Sequence, residues 1–218
     1  WTGNGADATI AHGLSQAPTI YFVKNRADAA DWRVGQVLTS SNNMTDGNGY
    51  YMELNDTKAS TNPGSATLWG STPTAPTSSV FTVGSNNANN GSSDAMIAYC
   101  FHSVKGYSKF GSYTGNGNAN GTFVYTGFKP AMIITKANAV ADWFIRDNKQ
   151  DPENVMNEYL SPNTTATSGN LDSFDFVSNG FKIRNSNNAW NGSGTTYIYM
   201  AFAENPLVTS TGIPATAR

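Results

Sequence analysis

Ser186-Asn-Asn-Ala-Trp-Asn-Gly-Ser-Gly-Thr-Thr-Tyr-Ile-Tyr-Met-Ala-Phe202 joins an amide-rich turn to a run that is apolar at both odd and even positions. Successive side chains of a strand point to opposite faces, so Tyr197, Tyr199 and Ala201 would line one face and Ile198, Met200 and Phe202 the other. Apolar residues on both faces mark a central strand covered on both sides. The turn has a twin: Ser85-Asn-Asn-Ala-Asn-Asn-Gly-Ser-Ser93 shares seven of nine residues with Ser186 to Gly194 and is likewise followed by an apolar run, ending at Phe101.

Two more blocks recur in the same order. Trp1-Thr-Gly-Asn-Gly5 is echoed by Tyr113-Thr-Gly-Asn-Gly117, and Pro18 to Lys24, followed by Ala30-Asp-Trp32, is echoed by Pro130 to Lys136 and Ala141-Asp-Trp143. Ordered recurrence of this kind is the signature of a tandem duplication. The expected organisation is a first unit over residues 1–110, a second over 111–206 and an extended tail over 207–218. Extra length in the first unit falls in Thr39 to Gly49 and Asn62 to Ser79, the latter of which, with Pro63, Pro73 and Pro76, reads as surface loop.

Composition supports short strands and many turns. Asn, Gly, Ser and Thr make up about two-fifths of the 218 residues, and all four are poor in helix interiors. Phe174 and Phe176, then Ser178-Asn-Gly180, then Phe181 and Ile183 predict a hairpin. Asp151 to Leu160 predicts one short helix, with Asp151 as cap, Pro152 in the first turn and Val155, Met156, Tyr159 and Leu160 on one face. The expected fold is all-β: two tandem homologous antiparallel β-sandwich or jelly-roll-like units with at most one short helix.

Charge and cysteine content narrow the function. The net charge is −2, without the excess of Lys and Arg that nucleic-acid or anionic-membrane binding requires. Cys100 is the single cysteine, so there is no intramolecular disulfide and no cysteine-rich zinc site. No apolar run approaches the ~20 residues of a membrane helix, which predicts a soluble protein without membrane insertion. The opening at Trp1, without Met or signal peptide, points to a processed or truncated product or to the ordered part of a longer one.

Few residues suit catalysis. His12 and His102 are the two histidines, and neither stands in a nucleophile elbow. His12 reads as a turn residue with Tyr125 as its counterpart. Asp31 and Asp142, each preceding a tryptophan, read as turn carboxylates that accept backbone N–H groups rather than as a glycosidase pair. Asn42 to Glu53 places Gly and Glu where a calcium loop has them, but Met44 occupies a ligand position. A weaker calcium site would use Asp46 and Asn48. The six Asn-x-Ser/Thr sequons, at Asn43, Asn55, Asn90, Asn120, Asn163 and Asn191, follow from composition. No enzyme activity and no cofactor are expected.

The aromatics divide by recurrence. Trp32/Trp143 and Trp1/Tyr113 repeat and therefore serve the shared fold, whereas Trp69 and Trp190 do not. An indole in an amide-rich loop is what sugar recognition uses, since the apolar face of a pyranose stacks on the ring while amides bond its hydroxyls. Trp69 and Trp190, with Asn187, Asn188 and Asn191, are the candidate glycan-binding residues. The alternative is that these tryptophans cover the core or contact a neighbouring subunit.

Gly111 to Gly117, Tyr125-Thr-Gly-Phe-Lys-Pro130, Ser178 to Ile183 and above all Tyr197-Ile-Tyr-Met-Ala-Phe-Ala-Glu-Asn-Pro206 resemble a β-rich domain of structural proteins of tailed bacteriophages, especially marine and cyanobacterial ones, of tail-fibre or lectin-like type. The first unit shares the resemblance through Ala11 to Leu14 and Pro18 to Arg26, and Thr209 to Arg218 resembles the C-terminus of such a protein. The resemblance implies an exterior module of a phage particle, a homo-oligomer beside other virion proteins, in which host cell-surface polysaccharide is a possible ligand. Its motifs are turns and strands, and they transfer no catalytic residue. The alternative function is a purely structural capsid decoration or fibre subunit.

Overall fold

The computed structural model describes residues 1–47, 49–64 and 67–204. The chain divides into two compact units, Trp1–His102 and Ser103 onward. The boundary therefore precedes Phe110, which lies within a strand paired along its whole length inside the second unit. The expected tail, 207–218, lies outside the described residues.

The second unit is a two-sheet sandwich. One sheet runs in the order β10(Trp143–Asp147), β9(Pro130–Ala137), β14(Thr196–Ala203), β7(Ser108–Thr114). The other runs β11(Met156–Tyr159), β12(Gly169–Val177), β13(Gly180–Ile183), β8(Phe123–Tyr125), and all pairings are antiparallel. β14 is central in its sheet, paired on one edge with β9 and on the other with β7, and Tyr197 to Ala201 are buried on both faces. The hairpin pairs Phe174 with Ile183, Phe176 with Phe181 and Val177 with Gly180 around Ser178-Asn179. Gly180 is needed there because a Cβ would meet the Val124 carbonyl of the neighbouring strand. The core draws on both sheets, with Tyr113, Ile133, Phe144 and Tyr197 from one and Val124, Phe174, Phe181 and Ile183 from the other.

The first unit repeats this plan with fewer ladder pairs. Its larger sheet runs β4(Met52–Glu53), β3(Arg33–Gln36), β2(Ile20–Asn25), β6(Met96–Phe101), and β1(Ala8–Ala11) pairs with β5(Val80–Val83). Tyr21, Val23 and Met96 pack with Phe81, Val83, Leu68 and Trp69. The Tyr51–Thr61 bridge stands where the second unit pairs Tyr159 with Gly169. Leu68, Trp69 and Gly70 are buried, so this part of the Asn62–Ser79 stretch is core and not surface loop.

Two local expectations change. Asp151–Leu160 is not a helix: bends lead into β11. Asn154 bonds Phe176 through both its amide nitrogen and its carbonyl oxygen, and Asp151 accepts the Asn157 and Glu158 N–H groups, which aligns the segment with β12. Tertiary pairing overrides local helix signals here. The helices are instead two single turns, α1(Asn87–Asn90) and α2(Asn188–Asn191), inside the repeated amide-rich block.

Candidate functional site

The recurring amides build each unit's loop junction. Asn86 and Asn187 cap α1 and α2 by accepting the Ala88 and Ala189 N–H groups at 2.9 and 2.8 Å. One turn on, the fully buried Asn191 places its amide nitrogen 3.0 Å from Asn116 Oδ1, 2.8 Å from the Asn118 carbonyl and 2.8 Å from the Asn185 carbonyl. Its own Oδ1 accepts the Asn116 N–H at 3.0 Å. Asn90 repeats the set at 2.8, 2.6 and 3.1 Å toward Asn4 Oδ1, the Ala6 carbonyl and the Gly84 carbonyl, and accepts the Asn4 N–H at 3.3 Å. An NH₂ has two hydrogens, so one of the three acceptors shares. These amides are spent on the fold, and the buried Asn43, Asn90 and Asn191 side chains leave no room for a glycan.

The two unpaired tryptophans are also structural. Trp69 is 0% exposed and donates Nε1–H to the Tyr50 carbonyl at 3.1 Å. Trp190 is 1% exposed and donates to Asn185 Oδ1 at 2.7 Å. A sugar cannot stack on a ring that exposes no surface, so the expectation of glycan contact at Trp69, Trp190 and Asn191 is corrected. Asn187 and Asn188 are exposed, the first as cap and the second with its carbonyl accepting Tyr197 O–H at 2.6 Å.

Two further recurrences were only half visible. Lys24 Nζ donates to the Asn25 and Asp28 carbonyls, and Lys136 Nζ to those of Ala137 and Ala139. Asp31 accepts Asn55 Nδ2–H at 2.7 Å while Asn55 accepts the Trp32 N–H at 2.9 Å; Asp142, Asn163 and Trp143 reproduce both distances. The aspartates therefore act through an asparagine rather than on the backbone directly.

A family model described as Domain of unknown function (DUF7483) matches residues 1–206, which takes in both units. The chain belongs to the DUF7483 family. No curated protein and no solved structure matches it.

Within this DUF7483 chain the titratable candidates are engaged. His12 Nδ1 accepts the Leu14 N–H at 3.1 Å and Nε2 donates to the Thr77 carbonyl at 3.1 Å, which sets the Nε2–H tautomer. Its counterpart is Thr126 and not Tyr125: the Thr126 hydroxyl meets the Phe128 N–H, and the His12 and Thr126 N–H groups donate to the Ser79 and Asn179 carbonyls. Glu53, the one buried carboxylate among the described residues, is paired with Arg33 and with Lys58. Asp46 accepts the Asn42 N–H at 2.7 Å, while Asn48, its expected calcium partner, lies outside the described residues. Among the described residues no cluster of three His, Cys, Asp or Glu could hold a metal.

Sequence reasoning missed Arg146. Its side chain is 0% exposed, with the guanidinium carbon 4.3 Å from the ring centroids of Phe174 and Trp190 and 5.2 Å from that of Tyr159. Nε donates to Ser173 Oγ at 2.9 Å, and Nη1 and Nη2 have no hydrogen-bond partner. Burial pushes the guanidinium down to about 9, so it remains cationic at neutral pH and the rings' negative faces stand in for an anion. Alternation along β10 places Arg146 inward, a signal available in the sequence once that strand is assigned.

Proposed function

We propose that this chain is a structural subunit on the exterior of a tailed-bacteriophage particle, a capsid decoration or fibre module that works as a homo-oligomer beside other virion proteins and has no enzymatic role. The observation that carries the reading is that the conspicuous polar and aromatic motifs, Asn90, Asn191, Trp69 and Trp190, are buried and bonded within their own units. What such motifs then supply is a stable β-rich body without disulfides, which suits a displayed particle component. The resemblance of Tyr197 to Pro206 and of Gly111 to Gly117 to phage structural proteins supports the particle assignment.

Immunogold labelling of phage particles with antibody against the purified chain tests this. Gold on the head surface or fibres supports the reading, and particles without gold that also lack its peptides by mass spectrometry overturn it. Host polysaccharide recognition is the second reading, favoured by one observation: Trp32 and Tyr99 stack with centroids 6.0 Å apart, and Tyr99 is 47% exposed. Saturable quenching of Trp32 fluorescence by host polysaccharide, lost in Tyr99→Ala, would support it.

A further inference from the structure

We infer that the cleft between Asp7 and Gly70 in the first unit is a binding site for a primary alkylammonium group, such as a polyamine or a lysine side chain carries.

The duplication shows what this sheet face holds in each unit. Ile10 pairs with Phe81 as Val124 pairs with Phe181, and the Leu68 and Ser173 carbonyls accept the Gly84 and Arg184 N–H groups. Thr9, Thr82 and Gly70 therefore stand in the first unit where Phe123, Lys182 and Asp175 form one row across the second. Asp7, three residues before Ile10, is the counterpart of Gly121, three before Val124. In the second unit the row is filled by its own side chains: Asp175 pairs with Arg184 at 3.4 Å, and Lys182 Nζ donates to the Gly121 carbonyl. Threonine in place of that lysine leaves out a butylammonium chain. Aspartate in place of that glycine puts a negative charge where the chain ends.

The cleft has a volume of about 390 Å³, and Asp7 is the one charged residue in its lining. Asp7 Oδ2 accepts the Ser71 N–H at 2.7 Å, which ties the carboxylate across β5 to the loop that follows Gly70. Hydrogen bonds from the Ser71 side chain and backbone hold this carboxyl below the usual range, so it is ionised at neutral pH. Gly70 has a φ of +94°, which disfavours any side chain there, and the Cβ it lacks would stand 3.8 Å from Asp7 Oδ2 and 3.9 Å from the Thr72 carbonyl oxygen. Two acceptors thus face one unfilled space. The Thr82 hydroxyl donates to the Trp69 carbonyl at 2.9 Å and does not compete for them. An ammonium carries three N–H donors and no acceptor, so it can satisfy both oxygens at once, whereas an anion would be repelled.

The test is a backbone-amide NMR titration of the full chain with putrescine and with Nα-acetyl-lysine methylamide, each compared with neutral butanediol. Saturable shifts of the Gly70, Ser71 and Thr82 amides are expected with the amines, at roughly tenfold lower concentration than with the diol. Tighter binding of putrescine would assign the site to free polyamines and tighter binding of the lysine amide to a lysine of another protein, and either supports the proposal. Asp7→Asn, which retains an acceptor for the Ser71 N–H but removes the charge, is expected to erase the preference for amines. Thr82→Lys, which copies the second unit, is expected to fill the cleft with a tethered ammonium and abolish amine binding. Amine shifts that are absent, equal to those of the diol, or undiminished in Asp7→Asn overturn the proposal whether or not the lysine variant folds.

Discussion

The cores of the two units solve one packing problem with opposite materials. Tyr21 pairs with Gly35 in the first unit where Ile133 pairs with Arg146 in the second. The carbonyls of Leu68 and Ser173 accept the N–H groups of Gly84 and Arg184, so Trp69 stands at the position of Phe174. In the first unit the indole of Trp69 occupies the space above Gly35, where a Cβ would lie 3.1 Å from the ring. In the second, a smaller ring at Phe174 and the indole of Trp190 leave room for a guanidinium, and Ser173 in place of Leu68 supplies its one hydrogen bond. Four positions changed together: Gly, Leu, Trp and Asn against Arg, Ser, Phe and Trp. After duplication, the core positions are kept while the side chains that fill them are exchanged as a set.

Gly35→Arg, which copies one member of the set without the others, breaks the comparison most severely. The arginine would meet Tyr21 and Trp69, and loss of protected amides in β2, β3 and β5 by hydrogen exchange is the expected result. Asn191→Ala and Asn90→Ala strand several loop donors and acceptors at once. Each is expected to lower unfolding free energy by about 2–3 kcal/mol in urea titrations, and unequal losses would show that the two hubs are not equivalent in strength. Arg146→Met removes a buried cation that lacks an anionic partner while retaining volume. A gain of about 1 kcal/mol is expected, and a loss above about 2 kcal/mol would show that the ring cage outweighs the burial of charge.

Alkaline pH gives the smallest effect. Burial raises Tyr21 and Tyr113 above the ordinary tyrosine range, Tyr199 to about 12 and Cys100 to about 11. The unfolded chain releases these protons first, so stability falls as pH rises through about 9–12. Arg146, whose folded value lies below its unfolded one, opposes that slope from about pH 9 upward. Urea midpoints measured across this range should therefore fall more steeply in Arg146→Met than in the wild-type chain.

The fold was legible because its signals were long or repeated. The double apolar face of Tyr197 to Phe202, the Phe174–Ile183 hairpin and the three recurring blocks each depend on spacing, and spacing survives without coordinates. The single turns at Asn87–Asn90 and Asn188–Asn191 have too few residues for periodicity, and at Asp151–Leu160 the cap and apolar stripe were outvoted by the Asn154–Phe176 bonds. The candidate site failed for a different reason. Trp69 resembled an unpaired loop aromatic because its counterpart, Phe174, sits at an offset the intervening loops disguise. An amide beside an indole reads alike in a sugar site and in a buried junction. Only burial separates them.

The hub at Asn191 also bears on chemical ageing. Asn191-Gly192 is an Asn–Gly step, the dipeptide in which the following backbone nitrogen most readily attacks the side-chain carbonyl to form a succinimide. In the folded chain the amide is held on three sides, and the Gly192 N–H is committed to the Tyr197 hydroxyl at 2.7 Å. The attacking nitrogen and its target are thus pinned apart, and deamidation at this step proceeds only as fast as the junction opens. The slow appearance of aspartate and isoaspartate at position 191 on storage becomes a clock for how often the second unit breathes.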